Sequence, residues 1–367
     1  MNIYPFHALI PNEEIISSPR THFKAVKNRY SELKARGFFK HLDDQCLFVY
    51  RIKKGDRQYT GCLAELDFRH YLNGDIRPHE ETLAAREQIS IERLLSRRAM
   101  IKPILLTHQP IASLCTLYEM VQAHNPILDV HIREDGERHT LWMVRDKKIE
   151  SQIIETFRHQ LPMAYIADGH HRVAALKRIN KTKGGTIQRV FSAFFSFDEV
   201  DIYNFNRIID LPSKLSPLRF LAQLSKFCRI RVLDKPRMPK QPHHLTMLLD
   251  GEWFELRWKK KVLLKHTDES TMPILDVDLF NRWIVGKILG ISDVRADRHI
   301  HYLEGTAEID RWIEKVVEHS QRVGFLLHPI ALADFQAIVN RGSMLPPKST
   351  WFEPRMKNGL IVAPLDI

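Results

Sequence analysis

The chain has 367 residues, of which 44% are hydrophobic, so it is long enough for two domains or for one elaborated α/β domain with a real core. Its apolar runs fall short of the roughly 18 residues that a membrane span needs, and its N-terminal segment lacks the basic and apolar regions of a secretory signal. We therefore expect a cytoplasmic protein with no membrane partner.

The formal net charge of +11 favours anionic partners such as phosphates, nucleic acid or a membrane surface. Charge alone does not choose among these partners. The basic residues are dispersed along the chain, and aromatic residues are not interleaved with them as a base-stacking surface requires. This pattern favours a solvated surface for most of the charge and leaves an anion-binding face as the alternative.

The cysteines, Cys46, Cys62, Cys115 and Cys228, are far apart and form no C-x-x-C pair. Such spacing predicts neither a disulfide framework nor a structural zinc site. We expect four reduced and buried thiols.

Alternation of apolar and polar residues around turn signals predicts three β-hairpins, over residues 46–66, 131–146 and 244–259. Helical periodicity is clearest over residues 21–39, 80–100, 172–180 and 305–324. The expected fold class is α+β, with mixed and largely antiparallel sheets rather than a regular βαβ repeat.

A domain boundary is predicted near residue 206, where a strand-like run is followed by proline and serine residues typical of a loop. The closing segment, residues 344–367, has four prolines and no helical period, yet it is apolar enough to need burial. The predicted units are therefore 1–205, a second α/β unit over 206–317, and a C-terminal segment over 318–367 that packs back on the active site.

The stretch "YIADGHHRVAAL" places Asp168, Gly169, His170, His171 and Arg172 between an apolar run and a helical segment. A loop that enters a helix offers unpaired N–H groups and the positive end of the helix dipole, which suit phosphate. Gly169 permits close approach of the backbone, and Arg172 is suited to bidentate binding of phosphate oxygens. Asp168 either caps the helix or holds a divalent metal. The alternative is an ordinary aspartate cap followed by two surface histidines.

A second box, His79-Glu80-Glu81-Thr82, follows a proline and is expected to open a helix. Acids in a first helical turn are stabilised by the dipole, which gives a purely structural interpretation. The functional interpretation makes one of Glu80 and Glu81 a general base that deprotonates an attacking hydroxyl. A zinc-protease motif is excluded, because Leu83 stands where its second histidine is required.

A third box, "LPPKSTWFEP", offers one point charge and two hydroxyls for phosphate or carboxylate, from Lys348, Ser349 and Thr350. Its alternative is a fixed surface crossing with Lys348 in solvent. Asn206 and Arg207 are weaker candidates for the same pocket, because arginine at a strand end is commonly a solvated edge residue.

Taken in order, these boxes resemble a bacterial and archaeal family labelled as a domain of unknown function. That family is similar to the free-serine kinases of the ParB/sulfiredoxin-like superfamily, whose studied relatives phosphorylate L-serine, some with inorganic pyrophosphate as donor. The resemblance covers nearly the whole chain and rests on the following segments: 4–12, 74–82, 165–172, 205–209, 301–305, 345–354 and 359–366.

The resemblance implies a ParB/sulfiredoxin-like core and assigns roles to residues already singled out. Donor phosphates would bind to residues 168–172 and to Lys348, Ser349 and Thr350, with Mg²⁺ shared between the donor and Asp168. His79, Glu80 and Glu81 would form the catalytic group, and Thr82, Asn206 and Arg207 would bind substrate.

The chain also departs from that family's pattern. Where members carry Pro-Pro-Tyr-Asp near the N-terminus, it has "SSPRTHF" over residues 17–23, and no Asp-Arg pair follows Arg86-Glu87.

The resulting hypothesis is a kinase that transfers a phosphoryl group from pyrophosphate or a nucleotide to the hydroxyl of free L-serine or a similar small metabolite. The alternatives are a non-catalytic phosphate-, nucleotide- or nucleic-acid-binding protein, and a degenerate relative that senses a phosphorylated metabolite. A histidine at 170 or 171 that contacts phosphate is expected to titrate near its ordinary pKa of about 6.5 unless the ligand shifts it.

Overall fold

The computed structural model describes residues 1–265, 272–295 and 297–365. The chain divides into two units: Met1–Asp201 with Pro354–Ile367, and Ile202–Glu353. Each unit combines a largely antiparallel sheet with helices, so the predicted α+β class is confirmed. Among the described helices, none has the length and apolar character of a membrane span.

The strands of the described residues are β1 Ile3–Tyr4, β2 Leu9–Pro11, β3 Phe39–His41, β4 Phe48–Lys54, β5 Arg57–Asp67, β6 Ile76–Arg77, β7 Ala99–Met100, β8 Ile104–His108, β9 Leu128–Ile132, β10 Glu137–Met143, β11 Ala164–Asp168, β12 Arg189–Ser196, β13 Asp201–Tyr203, β14 Phe205–Asp210, β15 Cys228–Leu233, β16 His244–Leu249, β17 Glu252–Trp258, β18 Ile300–Glu304, β19 Arg322–Leu327, β20 Trp351–Glu353 and β21 Ala363–Pro364. The α-helices are α1 Pro19–Ala35, α2 Arg69–Asn73, α3 Ala84–Arg97, α4 Ala112–Gln122, α5 Lys147–Gln160, α6 His170–Thr182, α7 Pro217–Leu224, α8 Lys260–Leu264, α9 Asp276–Leu279, α10 Ile309–Val317 and α11 Leu332–Asn340. Helix α9 continues as a π-helix over Phe280–Ile288.

The main sheet of the first unit has the order β6-β11-β8-β12-β5-β4-β10-β9, with β1 beside β5. Strand β6 runs parallel to β11, and β8 runs parallel to β12, whereas the other neighbours are antiparallel. The second unit has one antiparallel sheet in the order β15-β17-β16-β19-β14-β18. Its interior strands, β19 and β14 among them, are therefore paired on both sides.

All three predicted hairpins are present, as β4-β5, β9-β10 and β16-β17. In the third hairpin Leu249 pairs with Glu252, so Asp250 and Gly251 form a two-residue turn. Their φ angles are 50° and 79°, and such a turn between twisted strands requires positive φ at both positions.

Three helices are shorter than the sequence indicates. Helix α10 covers only Ile309–Val317 of the predicted 305–324, and β19 already begins at Arg322. Helix α1 ends at Ala35, because Gly37 with φ of 76° breaks the helical path before β3 begins. Helix α3 begins at Ala84 rather than at residue 80, since Leu83 is still extended with φ of −97° and ψ of 129°. The box His79–Thr82 therefore lies in a loop and not in a first helical turn.

The division into units differs from the boundaries suggested by the sequence. It falls after Asp201 rather than after residue 205, and residues 318–353 lie in the second unit. The physical reason is strand pairing: β19 lies between β14 and β16, which ties this segment to the second sheet. Only the part from Pro354 onward belongs to the first unit.

The expectation of four buried thiols is wrong for one of them. All four cysteines are free, and Cys46, Cys62 and Cys228 are buried, but Cys115 is exposed. Helix α4 buries Leu114, Leu117, Tyr118 and Val121, which recur at intervals of three or four residues. Cys115 is not one of these buried positions, and its side chain is exposed.

Candidate functional site

Two of the boxes meet in the first unit because the strands that precede them are parallel. Strand β6 pairs with β11 through Ile76 and Ala164 and through Arg77 and Tyr165. Parallel strands end at the same edge of a sheet, so the segments that follow them emerge side by side. The backbone N–H of His79 donates to Nε2 of His170 at 3.3 Å, and the centres of the two rings are 4.4 Å apart.

The predicted junction of a strand and a helix is present at Gly169. Strand β11 ends at Asp168 and helix α6 begins at His170, with Gly169 between them at φ of 110°. A Cβ atom at this position would lie 2.9 Å from Nη2 of Arg172 and 3.0 Å from Cδ1 of Ile104. Both the backbone conformation and the available space therefore require glycine.

The carboxylate of Asp168 is surrounded by three cations. Oδ2 contacts Nζ of Lys102 at 3.0 Å and Nη2 of Arg172 at 2.8 Å, and Oδ1 contacts Nη1 of Arg355 at 2.6 Å. Burial opposes ionisation of this carboxyl, yet the three cations hold the pKa of Asp168 well below its ordinary value. Asp168 does not cap helix α6, whose N-cap residue is Gly169. It instead forms the centre of an ion cluster.

This cluster, Lys102, Asp168, Arg172 and Arg355, carries an excess of two positive charges. Burial lowers the pKa of Lys102. The four side chains remain 19–25% exposed, so an anion is able to approach them. Clustered and fixed cations attract phosphate groups.

Within this cluster Arg172 is held more tightly than the sequence indicates. Its Nη1 donates to the carbonyls of Lys102 and Pro103, each at 2.7 Å, and its Nη2 donates to Asp168. Most of the guanidinium is thereby engaged within the protein. The sequence-based role of Arg172 as a bidentate phosphate ligand stays a prediction. Its charge contributes to the net positive charge of the cluster.

The two histidines that meet at the junction are buried, with His79 only 2% and His170 only 8% exposed. Burial lowers the pKa of His170 to about 4 and that of His79 well below its ordinary value. Both rings are consequently neutral near pH 7. His171, the next residue of helix α6, is half-buried.

We expect His170 to titrate near pH 4 and not near 6.5. Between pH 4 and pH 6.5 the imidazole of His170 is then protonated in the unfolded chain but not in the folded chain. The contribution of His170 to the free energy of unfolding therefore falls, by at most about 3 kcal/mol, as the pH drops through this range. NMR titration of the ring measures this pKa, with His170→Gln to assign the resonance and His159→Gln, on the exposed end of α5, as the control. A ring pKa of 6.5 or higher contradicts the expectation.

The two candidate bases differ in their surroundings. Glu80 is half-buried, whereas Glu81 is exposed. Thr82 donates its hydroxyl to the carboxylate of Glu87 in the first turn of α3, which anchors the loop to that helix. Of the two glutamates, Glu80 is the one that the fold brings beside the histidines.

A carboxylate oxygen of Glu80 and one ring nitrogen each of His79 and His170 lie within 4.8 Å of one another. Such a nitrogen-rich set is typical of transition metals, whereas Mg²⁺ prefers oxygen ligands. The oxygens of Asp168, the residue expected to hold Mg²⁺, already accept from three cations. Neither group of side chains fits a resident Mg²⁺.

The remaining candidates, Asn206, Arg207 and residues 348–350, lie in the second unit. Arg207 is only 1% exposed and is not a solvated edge residue, because β14 is an interior strand with a partner on each side. Its guanidinium donates to the carbonyl of Phe205 and, at 3.1 Å, to that of Lys348. Burial lowers the pKa of Arg207 to about 10. Asn206, also buried, accepts a hydrogen bond from Asn204 at 2.6 Å.

The segment of Lys348, Ser349 and Thr350 is fixed in place rather than loose. Lys348 has a left-handed backbone with φ of 57°, and its ammonium lies 4.8 Å from the centre of the Phe205 ring. Ser349 is 5% and Thr350 is 9% exposed, and the Ser349 hydroxyl donates to the carbonyl of Pro346. The second unit thus brings Arg207 to this segment.

Sequence reasoning missed Lys102 and Arg355, which complete the ion cluster. Lys102 is 66 positions before Asp168, and Arg355 is 187 positions after it. No local pattern marks either residue. The only available signal for Arg355 is its place directly after the third box.

The fold and this junction define an α+β protein with a cationic, anion-attracting site beside a carboxylate and two neutral histidines. The chain belongs to the family described as protein of unknown function (DUF1015), which matches residues 3–278. No curated protein matches the chain.

The solved structures that are similar to this chain are distant in sequence, and the three that follow have TM-scores below 0.5. C-terminally truncated SbnI from Staphylococcus aureus is 14% identical, with a TM-score of 0.44, 81% of this chain and 85% of that chain covered. A mutant free serine kinase in complex with ADP is 14% identical, with a TM-score of 0.40 and coverage of 84% and 94%. A conserved hypothetical protein from Pyrococcus furiosus is 14% identical, with a TM-score of 0.40 and coverage of 81% and 93%.

Proposed function

We propose that this protein is a phosphotransferase that moves a phosphoryl group from pyrophosphate or a nucleotide to the hydroxyl of free L-serine or a similar small metabolite. The observation that carries the proposal is the meeting of two boxes at the ends of β6 and β11. There the carboxylate of Glu80, which is half-buried, lies beside the ring of His170. His170 is two residues after Asp168, which is the centre of the cation-rich cluster.

Phosphoryl transfer depends mainly on positioning and on neutralising charge, with little covalent work for the protein. The excess positive charge of Lys102, Arg172 and Arg355 supplies the neutralisation. The first turn of α6 adds backbone N–H groups and the positive end of a helix of 13 residues. These features support binding of the donor phosphates at the junction.

In the proposed reaction the serine oxygen attacks the terminal phosphorus of the donor and a new O–P bond forms. The bond from that phosphorus to the bridging oxygen breaks, and its electron pair leaves with the remaining phosphate or nucleotide. Glu80 takes the proton of the serine hydroxyl as the bond forms. Neutral His170 and His79 keep this carboxylate in a partly buried setting without adding positive charge.

The phosphate donor, and not a resident site of the protein, is the proposed carrier of Mg²⁺. Pyrophosphate and nucleotides bind Mg²⁺ through their own oxygens, and Mg²⁺ is commonly held by substrate phosphates together with only one or two carboxylates. We propose that the ion reaches the protein as part of this complex.

The decisive experiment incubates the pure protein with L-serine, Mg²⁺ and, separately, pyrophosphate, ATP and ADP, and measures phosphoserine by mass spectrometry. Formation of phosphoserine with one donor supports the proposal. Absence of a product with every donor, over a panel of hydroxyl amino acids, overturns it. Calorimetry on the same samples then separates a metabolite sensor, which binds without turnover, from a nucleic-acid-binding protein, whose affinity for DNA or RNA falls steeply with added salt.

The third box allows a further test of phosphate binding. Lys348 adopts a left-handed backbone that glycine accepts without strain, so Lys348→Gly removes the ammonium and preserves the loop. Loss of one charge-assisted contact predicts a donor affinity about 10- to 100-fold lower, with an unchanged melting temperature. Arg98→Gly is the matched control, because Arg98 is an exposed cation with the same left-handed backbone, at φ of 48°. Equal donor affinity in Lys348→Gly and the native chain contradicts this role.

A further inference from the structure

Helices cover one face of the second unit's sheet more fully than the other. On the first face, the ring of Phe325 in β19 contacts those of Phe220 in α7 and Phe280 in the π-helix, with ring centres 6.4 Å and 4.9 Å apart. On the second face, Trp253 of β17 packs against Trp312 of α10, with ring centres 5.8 Å apart. Farther along this second face, toward the C-terminal end of β17, polar and charged side chains replace the aromatic ones.

The register of β15 and β17 places arginines next to each other on the second face. Arg229 of β15 lies directly opposite Arg257 of β17, and Arg231 lies opposite Glu255. Residues that are directly opposite, or two positions apart on one strand, share a face of the sheet. The three arginines are exposed.

The carboxylate of Glu255 is surrounded by arginines. Its Oε2 contacts Nη2 of Arg257 at 2.9 Å and Nε of Arg231 at 3.7 Å, and its Oε1 contacts Nη2 of Arg237. Arg237 comes from the loop after β15, and Thr246 of β16 anchors this loop by donating its hydroxyl to the carbonyl of Arg237 at 2.7 Å. Burial opposes ionisation of Glu255, yet the arginines hold its pKa below the ordinary value. Glu255 is buried while the three arginine side chains are 40–63% exposed, so they are fixed in place and still accessible.

Four arginines thus form one surface, the arginine surface, which consists of Arg229, Arg231, Arg237 and Arg257. With Glu255 as their carboxylate, they carry an excess of three positive charges. Like charges directly opposite each other destabilise a sheet, and Arg229 forms no ion pair within the described part of the chain. Charged side chains commonly protect an edge strand such as β15, but β17 is paired on both sides and needs no such protection. The excess charge therefore favours an anionic partner.

The shape of the arginine surface favours a polyanion over a single small anion. Its guanidinium groups extend over two strands and a loop, and each offers a planar fork to phosphate oxygens. Exposed Lys235 and Lys240 in the same loop extend the positive charge. A nucleic acid duplex presents one negative charge per about 1.7 Å of its axis, which is denser than in a single strand.

The neighbours of the arginines also favour a duplex over a single strand. Binding of single strands depends on aromatic side chains on which the bases stack. Here the residues opposite Arg257 and Glu255 on β16 are His244 and Thr246, and the His244 ring is turned toward Glu255, with Nδ1 at 3.8 Å from Oε1. Contacts to phosphates alone carry no sequence information.

We propose that the arginine surface binds the phosphate backbone of double-stranded DNA or RNA without regard to base sequence. Binding releases counterions from the duplex, so the affinity falls steeply with salt. The surface lies entirely in the second unit, and the proposal is independent of the proposed phosphoryl transfer.

Fluorescence anisotropy of short labelled duplexes, titrated with the native full-length chain, measures this binding. The probes are duplex DNA, duplex RNA and single-stranded DNA, each in two unrelated sequences, at KCl concentrations from about 50 to 200 mM. We expect a Kd of about 10⁻⁶ to 10⁻⁴ M for either duplex, and a slope of about −3 to −4 when the logarithm of the association constant is plotted against that of the salt concentration. The two sequences are expected to bind equally, and the single strand more weakly.

Replacement of single arginines assigns the binding to this surface. Arg229→Gln and Arg231→Gln will each lower the affinity about five- to tenfold at 0.1 M salt and make the slope shallower by about one, because one phosphate contact is lost. Arg219→Gln is the matched control, since Arg219 is an exposed arginine of α7, the helix that packs on the opposite face. It removes the same charge and will keep the native affinity.

Replacement of the carboxylate changes the affinity in the other direction. Glu255→Gln leaves the arginines without their counterion and will strengthen duplex binding several-fold, with melting temperatures measured to confirm that the variant is folded. Glu252→Gln, on the same strand but on the opposite face, is its control and will bind as the native chain does.

Any of three results overturns the proposal. The first is native affinity for both duplexes in Arg229→Gln and in Arg231→Gln. The second is an affinity that does not change with salt, or no binding of either duplex. The third is preferential binding of vesicles that contain phosphatidylserine, measured by sedimentation, which would make the arginine surface a membrane-binding site instead.

Discussion

Replacing Glu80 by glutamine will lower the rate of phosphoserine formation by about 10²- to 10⁴-fold, the range that a positioned general base contributes. The glutamine keeps the shape of the side chain but accepts no proton. Affinity for the phosphate donor will stay within a few-fold of the native value, because the cations that attract it surround Asp168 and are unchanged. Rates of phosphoserine formation and calorimetric titration with the donor measure the two quantities.

Glu81→Gln is the matched control, since Glu81 is the adjacent residue of the same loop but is exposed. It will retain activity. If Glu80→Gln keeps full activity, the assignment of the base is wrong. If both variants lose donor binding together with turnover, the loop binds phosphate and does not act as a base.

The sequence allowed prediction of the junction, because its determinants are local. A strand that ends at Asp168, a glycine with positive φ and a helix that begins at once are all encoded within a few residues. The pairing of β6 with β11, which brings His79 beside His170, depends on sheet topology and has no local signature. For the same reason sequence alone left Glu80 and Glu81 equivalent, although only one of them is half-buried.

The role of Asp168 could not be predicted from its neighbours in the sequence, because most of its partners are far away along the chain. An aspartate before a helix predicts a cap or a metal ligand when only its neighbours are read. Two of its three cationic partners come from positions 66 and 187 residues away. Their charges change the carboxylate from a cation-binding group into the counterion of a cation cluster. The site therefore keeps its predicted attraction for anions, but the residues that produce this attraction are different.

Asp168→Asn distinguishes the role of Asp168 as a counterion of the cation cluster from a role as a metal ligand. Removal of this carboxylate takes away the counterion that Lys102, Arg172 and Arg355 share, which is expected to destabilise the protein by about 3–5 kcal/mol near pH 7. Because the pKa of Asp168 is depressed in the folded state, its contribution is present above the ordinary pKa of about 3.9 and is lost as the pH falls toward the folded-state value. The difference in unfolding free energy between the native chain and the variant will shrink in acid, as denaturant titrations at several pH values would show.

The same variant will bind pyrophosphate more tightly, by about tenfold or more, because the ligand replaces the missing negative charge. Pyrophosphate will accordingly raise the melting temperature of Asp168→Asn more than that of the native chain. Asp129→Asn, which breaks an ion pair with Arg138 on the far side of the sheet, controls for the loss of one acid. A metal-ligand role predicts the opposite sign: weaker pyrophosphate binding in Asp168→Asn and loss of its response to Mg²⁺. The direction of the change in pyrophosphate affinity thus decides between two roles for Asp168. It is either the counterion of the protein's own cations or a ligand of the metal ion that the donor carries.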